Sequence, residues 1–410
     1  MNFRFHTAGE SHGRGLVALV EGIPAGLALD AARDIDPELH RRQGGYGRGG
    51  RMKIEQDAVE FAAGVRLGET LGSPIAMLVW NRDWQNWQVA MRHAAPDGAD
   101  EKALRRVYLP RPGHADLVGV LKYDRSDARD ILERASARET TARVAAGAIA
   151  KRLLAELGIT IGSHVVMLGG IEAALPGELP ADLNAAADAS PLRTLDAAAE
   201  AKMIAAIDAA RADGDTLGGC FEVVVRGLPV GLGSHVAWNR KLDGRIAGAL
   251  MSIQAMKGVE IGLGFEAARR RGSAVHDEIA SDADPALRRT GGYRRLRNSA
   301  GGLEGGITTG APLVARVAMK PLSTLMKPLQ SVDLRTGDRA DAVRERSDVV
   351  ALPAAGVVGE AMVAIVLADA VLEKFGADSM TELSRNFEGY LHQLDLRREQ
   401  IALVETRGAG

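Results

Sequence analysis

A long apolar stretch near the end of the chain limits what it can fold into more than any other feature. The stretch runs VVALPAAGVVGEAMVAIVLADAVL over residues 349–372 and is long enough for a membrane span. Pro353, Glu360 and Asp369 interrupt it, which makes a span unfavourable. The stretch therefore predicts a buried helix that ends at Gly376, because glycine readily terminates helices.

Charge and cysteine content restrict the classes of partner. The 410 residues include 51 Lys plus Arg and 53 Asp plus Glu, so the formal net charge is -2 and any basic surface has to be local. The opening MNFRFHTAGESHG lacks the apolar core of a secretory signal. The single cysteine, Cys220, excludes an internal disulfide framework. We therefore expect a cytoplasmic protein in which Cys220 is a buried apolar side chain.

Helical and strand-like segments alternate irregularly. Residues 136–157 and 194–212 have helical composition, and Ser136 stands three before Glu139, a capping-box spacing. Short β-branched runs occur at residues 159–168, 221–230 and 312–319. Because they are not spaced as βαβ units, the pattern predicts a layered α+β fold.

Glycine and proline mark the loops. The glycines cluster without a period, which argues against a repeat protein. Residues 172–193 contain three prolines and many small side chains, as in a linker. We expect this segment to be a surface excursion within a single domain that spans residues 1–410.

The segment HRRQGGYGRGGRMK, residues 40–53, concentrates positive charge among glycines. It could be a solvated loop or an RGG-like RNA-binding element. It could also be an anion site, because flexible backbone amides and guanidinium groups can close around phosphate or carboxylate. Its basic residues are Arg41, Arg42, Arg48, Arg51 and Lys53.

Two histidines lie in glycine-bounded turns. His12 belongs to GESHGRG at residues 9–15, and His114 follows Arg111 and precedes Asp116 in LPRPGHADLVGVLKY. Each could be ordinary surface, but a pair of such histidines favours proton transfer, since imidazole titrates near neutral pH. Neither an HExxH nor a CxxC motif completes a metal site.

Other motifs leave alternatives open. In ERASARET, residues 133–140, Ser136 and Glu139 can cap a helix while Arg134 and Arg138 attract an anion. Residues 258–267 contain a GxGxxA pattern, a weak dinucleotide signal. A further carboxylate, Asp348, follows Arg346 just before the apolar stretch, where it could form a salt bridge or serve as a base. Three tryptophans are predicted to form hydrophobic packing or to anchor a loop: Trp80, Trp84 and Trp87.

Taken together, several motifs are similar to those of the chorismate synthase family. They are GESHG, RPGHAD, ERASARET, NSAGGLEGGITTGAP (298–312), KPLST (320–324) and RSDVVALPAAGVVGEAM (346–362). The resemblance extends in order from residue 9 to about residue 376. It implies an anti-1,4-elimination of phosphate from 5-enolpyruvylshikimate 3-phosphate that gives chorismate and requires reduced FMN.

The resemblance also implies site residues. His12 is expected to protonate the departing phosphate, His114 to protonate or hold the reduced flavin, and Asp348 to relay the ring proton near flavin N5. The implied substrate or NADPH ligands are Arg42, Arg48, Arg111 and Arg138. The implied FMN contacts are Arg134, Ala135, Ser136, Gln254, Ala255, Gly305, Lys320, Pro321, Leu322, Ser323, Thr324 and Arg346.

The family further implies antiparallel sheets sandwiched with helices in a β-α-β arrangement and a homotetramer. NADPH is a candidate reductant, and an external flavin reductase a candidate partner, while no nucleic acid or membrane partner is expected. Two other classes remain as alternatives: an RNA-binding protein based on GYGRGGR and the tryptophans, and an NAD(P)H-dependent oxidoreductase based on Gly262 to Ala267.

Overall fold

A computed structural model describes most of the chain. The described residues are 3–50, 54–94, 98, 101–282, 284–345, 348–376 and 378–408. The helices are α1 Asp36–Gln43, α2 Asp116–Tyr123, α3 Arg129–Ala135, α4 Thr140–Glu156, α5 Leu183–Asp188, α6 Ala197–Ala212, α7 Leu242–Met251, α8 Gly272–Val275, α9 Leu352–Phe375 and α10 Met380–Gly408.

The strands fall into two large sheets and several hairpins. Their bounds are β1 Arg4–Ala8, β2 Gly15–Glu21, β3 Glu60–Ala63, β4 Val65–Arg66, β5 Glu69–Thr70, β6 Ile75–Trp80, β7 Thr160–Leu168, β8 Ile171–Glu172, β9 Gly219–Arg226, β10 Met256–Ile261, β11 Ile279–Ser281, β12 Tyr293–Arg295, β13 Leu303–Glu304, β14 Ile307–Thr308, β15 Leu313–Met319, β16 Gln330–Val332 and β17 Arg339–Asp341.

Helices fill the space between the two large antiparallel sheets. One sheet has the order β1-β2-β6-β3 and the other β10-β15-β9-β7-β8. Helix α4 packs on β2 of the first sheet, α9 packs on β7 and β9 of the second, and α4 and α9 pack on each other. In β2, buried residues alternate with partly exposed ones, as expected for a strand with one covered face. The expected α+β sandwich is confirmed.

Helix α9 forms the centre of the core. The whole of its most apolar window is buried, although by length and composition alone it could cross a membrane. Pro353 lies in the first turn, where its missing N–H costs nothing, and the helix ends at Gly376 with a φ of +72°. The predicted buried helix is confirmed.

The segment before α4 differs in detail from its prediction. Ser136 accepts a hydrogen bond from the Arg138 N–H at 3.2 Å and so caps a 3₁₀ turn over Ala137–Glu139, which leads into α4. The reciprocal half of the expected capping box does not form, because the Glu139 carboxylate turns to Thr7, Arg143 and Gln254 instead.

The expected surface excursion, residues 172–193, contains α5. Leu183 of this helix is buried and would contact a side chain at Gly162 of β7. Strand β10 runs into a 3₁₀ helix, Gly264–Arg269, and not into the α-helix of a dinucleotide-binding unit. Cys220 is only half-buried on β9, so full burial was wrong.

The α4–α9 contact depends on one small residue. A Cβ at Gly147 would lie 2.3 Å from the Ala361 Cβ and 2.6 Å from its Cα. The Cα and Cβ of Ala361 are fixed by the backbone of α9. Neither atom can move away from the added carbon unless the whole helix shifts.

Gly147→Ala is therefore expected to lower the free energy of unfolding by about 2 kcal/mol through overpacking. The matched control is Gly248→Ala in α7, where nothing lies within 4 Å of the added carbon, and it should stabilise by about 0.5–1 kcal/mol. Urea unfolding of both variants measures the difference, and equal effects would contradict the packing argument.

A fully buried carboxylate joins several core elements. Glu360 of α9 accepts hydrogen bonds from Arg41 at 2.9 Å, Lys151 at 2.8 Å and Ser163 at 2.6 Å, and also from Arg193 at 3.1 Å. Burial raises the pKa of Glu360, but the neighbouring Lys151 and Arg41 charges outweigh it and hold the pKa far below its usual range. Glu360 therefore stays ionised and ties α1, α4 and β7 to α9.

Glu360→Gln should lower the free energy of unfolding at pH 7 by about 3 kcal/mol, because the buried Arg193 and the partly buried Arg41 and Lys151 lose an ionic partner. Since the lowered pKa belongs to the folded state, this contribution is present above about pH 4 and is lost as pH falls further. The variant should therefore show a shallower loss of stability between about pH 5 and pH 2. Glu388→Gln, at an exposed ion pair with Arg288, is the control, and a wild-type acid profile in Glu360→Gln would contradict the assignment.

Candidate active site

The GESHG turn connects β1 and β2 and is fixed by two neighbours. The Ser11 N–H donates to the Glu133 carbonyl at 3.0 Å, and the Asn81 side-chain amide donates to the Gly13 carbonyl at 2.7 Å. Gly9 has a φ of +105°, and a Cβ there would lie 2.4 Å from the Gly15 carbonyl oxygen. The turn is therefore held rigidly against the α3–α4 junction.

His12 is held by a buried carboxylate and an aromatic ring. Its Nδ1 lies 2.9 Å from Glu133 Oε1, and its backbone N–H donates to Glu133 Oε2 at 2.8 Å. The imidazole stacks on Trp87 with ring centroids 3.7 Å apart, and Arg129 donates to Glu133 at 2.8 Å. Burial raises the pKa of Glu133, but hydrogen bonding from His12 outweighs it and lowers the pKa.

His114 is likewise held by a buried carboxylate. Its Nδ1 lies 2.5 Å from Oδ1 of the fully buried Asp116, whose Oδ2 accepts from Arg111 Nε at 2.8 Å. Burial raises the pKa of Asp116, but hydrogen bonds from His114 and Arg111 outweigh it, so the pKa lies well below its usual range. Arg111 also donates to Thr324 at 2.9 Å, and Lys320 donates to the Gly113 carbonyl. These contacts bring the His114 turn to the predicted flavin segment 320–324.

The arginine–glycine loop meets Asp348. Arg48 Nε lies 2.9 Å from Asp348 Oδ2, and the Gly49 N–H donates to Asp348 Oδ1 at 2.6 Å. Arg42 is buried and donates to Thr140 Oγ1 at 3.0 Å. Burial lowers the pKa of Arg42 to about 9, so the guanidinium is still charged at neutral pH. The basic residues Arg51 and Lys53 lie outside the described residues.

Two buried arginines share one carboxylate behind this loop. Arg138 Nη1 donates to both Asp57 oxygens, at 2.6 and 2.7 Å, and Arg138 Nε donates to Asn81 at 2.9 Å. Arg42 Nη1 lies 3.6 Å from Asp57 and makes no hydrogen bond within the described part of the chain. This atom is a buried donor that an anion could satisfy.

Glu139 connects the end of β1 to the segment after α7. It accepts from Thr7 Oγ1 at 2.7 Å and from Gln254 Nε2 at 3.1 Å, and Arg134 lies 3.7 Å from it. Ala255, which follows Gln254, has a φ of +69°, and its carbonyl accepts from the Lys320 N–H at 3.0 Å. Predicted flavin contacts from three distant stretches thus lie side by side.

Most of the expected site residues surround the α3–α4 junction, including Ala135 and Ser136, whose Oγ lies 3.1 Å from Ser11 Oγ. Pro321 packs beside Gly218, and the Leu322 carbonyl accepts from Thr216. Gly305 does not join them. It lies in the β13–β14 hairpin near His235, at the Leu313 end of β15, whereas Lys320 follows the opposite end. Arg346 lies outside the described residues.

Sequence reasoning missed the residues that hold the site together. Glu133 belongs to ERASARET, but the sequence predicted no role for it or for Asp57, Asn81 and Asp116. Of the residues that hold the site, only Trp87 was predicted, as a loop anchor. A separate cleft of about 630 Å³ lies between α4 and β7 and is lined by Lys151 and Asn184 among others. None of the expected site residues that the structure describes lines it.

Comparisons with known proteins point to one family. A sequence model of the chorismate synthase family matches residues 3–372. Chorismate synthase of Symbiobacterium thermophilum is 58% identical over 397 residues, covering 96% of this chain and 100% of the relative. That of Aquifex aeolicus is 54% identical over 400 residues, covering 95% and 98%. A chorismate synthase crystal structure aligns with a TM-score of 0.77 and 45% identity, covering 96% of this chain and 99% of the other.

The fold and these relatives define a carbon–oxygen lyase that acts on a phosphate ester. The chain belongs to the chorismate synthase family, whose members form chorismate in the shikimate pathway for aromatic amino acid biosynthesis. Dependence on reduced flavin is a general property of this family.

Asp57→Asn should lower the free energy of unfolding by about 3 kcal/mol, since two buried guanidinium groups would lose their shared charge partner. Urea unfolding measures this, with Asp213→Asn at the exposed end of α6 as the control. A loss below about 0.5 kcal/mol, as is usual for exposed sites, would show that the Arg42–Asp57–Arg138 cluster does not stabilise the fold to this extent.

Proposed function

We propose that this single-domain protein uses reduced FMN to eliminate phosphate from 5-enolpyruvylshikimate 3-phosphate at the site around the α3–α4 junction. The observation that carries the proposal is the convergence of His12, Asp348 and the arginine loop on this junction, which their spacing along the chain does not require. His114 joins them through the Lys320 and Ala255 contacts.

The residues present fit a flavin. Gln254 Oε1 is buried and has no hydrogen-bond partner among the described residues, and such an acceptor suits a ligand with a ring N–H. Gln254, Ala255 and Lys320 adjoin one another, and the Arg134 guanidinium, 42% exposed, donates to the Thr7 carbonyl. These residues would hold FMN. When bound, reduced flavin lends electron density to the substrate ring and recovers it without net oxidation.

The arginine loop would bind the substrate anions. Arg42 has a buried Nη1 that makes no hydrogen bond to any described residue, and Arg48 is oriented by Asp348. Guanidinium groups match the fork of a carboxylate or phosphate. Arg111 and Arg138 are already committed to Asp116 and Asp57, so we propose that they act on the substrate mainly by holding these neighbours.

Three side chains would handle protons. His12 donates a proton to the departing phosphate from Nε2, since its Nδ1 faces Glu133. Asp348, whose oxygens face Arg48 and Gly49, relays the proton lost from the ring. His114 holds or delivers a proton beside the flavin segment. Loss of the C–H proton, cleavage of the C–O bond and formation of the new double bond then balance.

The wider context follows from the same proposal. We infer a cytoplasmic homotetramer that accepts a small-molecule substrate, with NADPH as the source of electrons through its own or an external flavin reductase. No nucleic acid or membrane partner is required, and the internal contacts of Arg42 and Arg48 count against an RNA-binding loop.

His12→Ala and Asp348→Asn should each lower kcat by about 10²- to 10⁴-fold, the usual contribution of a proton-transfer group. FMN affinity should change little, because neither side chain adjoins Gln254 or Lys320. Steady-state kinetics and flavin fluorescence titration measure the two effects. His392→Ala, at an exposed position of α10, is the control, and near-wild-type turnover in either variant would remove that residue's role.

The proposal itself is tested under anaerobic conditions. Purified protein is mixed with 5-enolpyruvylshikimate 3-phosphate and chemically reduced FMN, and chorismate and phosphate are followed together. Equal release of both products is expected, with no flavin oxidised. A parallel reaction with oxidised FMN and NADPH detects an intrinsic reductase. Absence of products from folded, flavin-bound protein in the first reaction would refute the proposal.

A further inference from the structure

The contact between His114 and Asp116 determines which ring nitrogen carries a proton. Asp116 is fully buried, and its lowered pKa keeps the carboxylate ionised near neutral pH. An ionised carboxylate can only accept hydrogen bonds. Since His114 Nδ1 lies 2.5 Å from Asp116 Oδ1, Nδ1 has to be the donor.

The neighbouring arginine supports the same assignment. Arg111 Nη2 lies 3.1 Å from His114 Nδ1 and also 3.1 Å from Asp116 Oδ1. If Arg111 donated to a bare Nδ1, the Nδ1 lone pair would face the carboxylate oxygen at a repulsive distance. The arrangement is consistent only when Arg111 Nη2 and His114 Nδ1 both donate to Asp116.

We propose that Asp116 is a positioning residue that keeps a proton on Nδ1 of His114, so that proton exchange at this histidine passes through Nε2. The inference rests on the proposed function of His114 and deepens it. The pair His12–Glu133 repeats the pattern, with Nδ1 at 2.9 Å from a buried carboxylate that an arginine, Arg129, also contacts.

Asp116→Asn reverses the preference at Nδ1. Asp116 Oδ2 accepts from both the Arg111 N–H at 3.0 Å and Arg111 Nε at 2.8 Å. The single oxygen of asparagine is best placed at that position, where it keeps two hydrogen bonds. The amide NH₂ then faces His114 Nδ1, which must become an acceptor, and the proton moves to Nε2.

Solid-state ¹⁵N spectra of the sedimented full-length protein, labelled at histidine, test the inference without any turnover. The His114 signals are assigned by their loss in His114→Gln. Wild-type protein should show a protonated Nδ1, whether or not Nε2 is also protonated. A bare Nδ1 in wild type would overturn the proposal, and this readout does not require a stable variant.

The variant adds a second test. In Asp116→Asn the His114 Nδ1 should be bare, while the His12 signals stay unchanged. The variant's kcat should fall by about 10²-fold with KM within a few-fold of wild type. Asp130→Asn, at an exposed ion pair with Arg125 in the same region, should match wild type in both measurements. A protonated Nδ1 with normal kcat in Asp116→Asn would refute the positioning role.

The outcomes separate this inference from the proposed function. A wild-type protein with a protonated Nδ1 but no chorismate formation would refute the function and leave the positioning intact. Normal chorismate formation with a bare Nδ1 would refute the positioning and leave the proposed function intact.

Discussion

Pairing of buried charges at the α3–α4 junction is the constraint on which the site depends. Glu133, Arg138 and Glu139 are each buried there and each bind a segment that is distant in sequence. An unpaired charge in such a place costs several kcal/mol. The GESHG turn and the segments that carry Asp57 and Gln254 are therefore held in one arrangement before any ligand arrives. Preorganised charge of this kind is what a reaction with developing negative charge requires.

The core explains how this junction is kept in place. Helix α4 starts at the junction and packs on α9 at Gly147, while Glu360 locks α1, α4 and β7 to the same helix. The histidines lie in turns, but both turns are fixed to helices by carboxylates. The two histidines therefore lie in turns that a rigid scaffold holds in place.

The sequence predicted much of this but not all. The buried helix and the main strands follow from local pattern, because an apolar run and β-branched runs need cover. Motifs predicted His12, Ser136 and Asp348 as site residues, and these stay predictions. Asp57 could not be predicted, because its role is to pair with Arg42 and Arg138. No local spacing in the sequence reveals these contacts. Arg111 was expected to bind an anion from outside, yet its guanidinium binds Asp116. The half-buried Cys220 shows that residue type alone does not determine burial.

Hydrogen–deuterium exchange tests most directly whether the residues around the junction form one ligand site. Anaerobic protein is compared with and without reduced FMN and 5-enolpyruvylshikimate 3-phosphate, with inorganic phosphate alone as the control. We expect ligand-dependent protection of residues 7–12, 47–49, 111–114, 134–138, 254–256 and 320–324. Protection confined to the cleft beside Lys151 and Asn184, with these segments unchanged, would contradict the placement of the site.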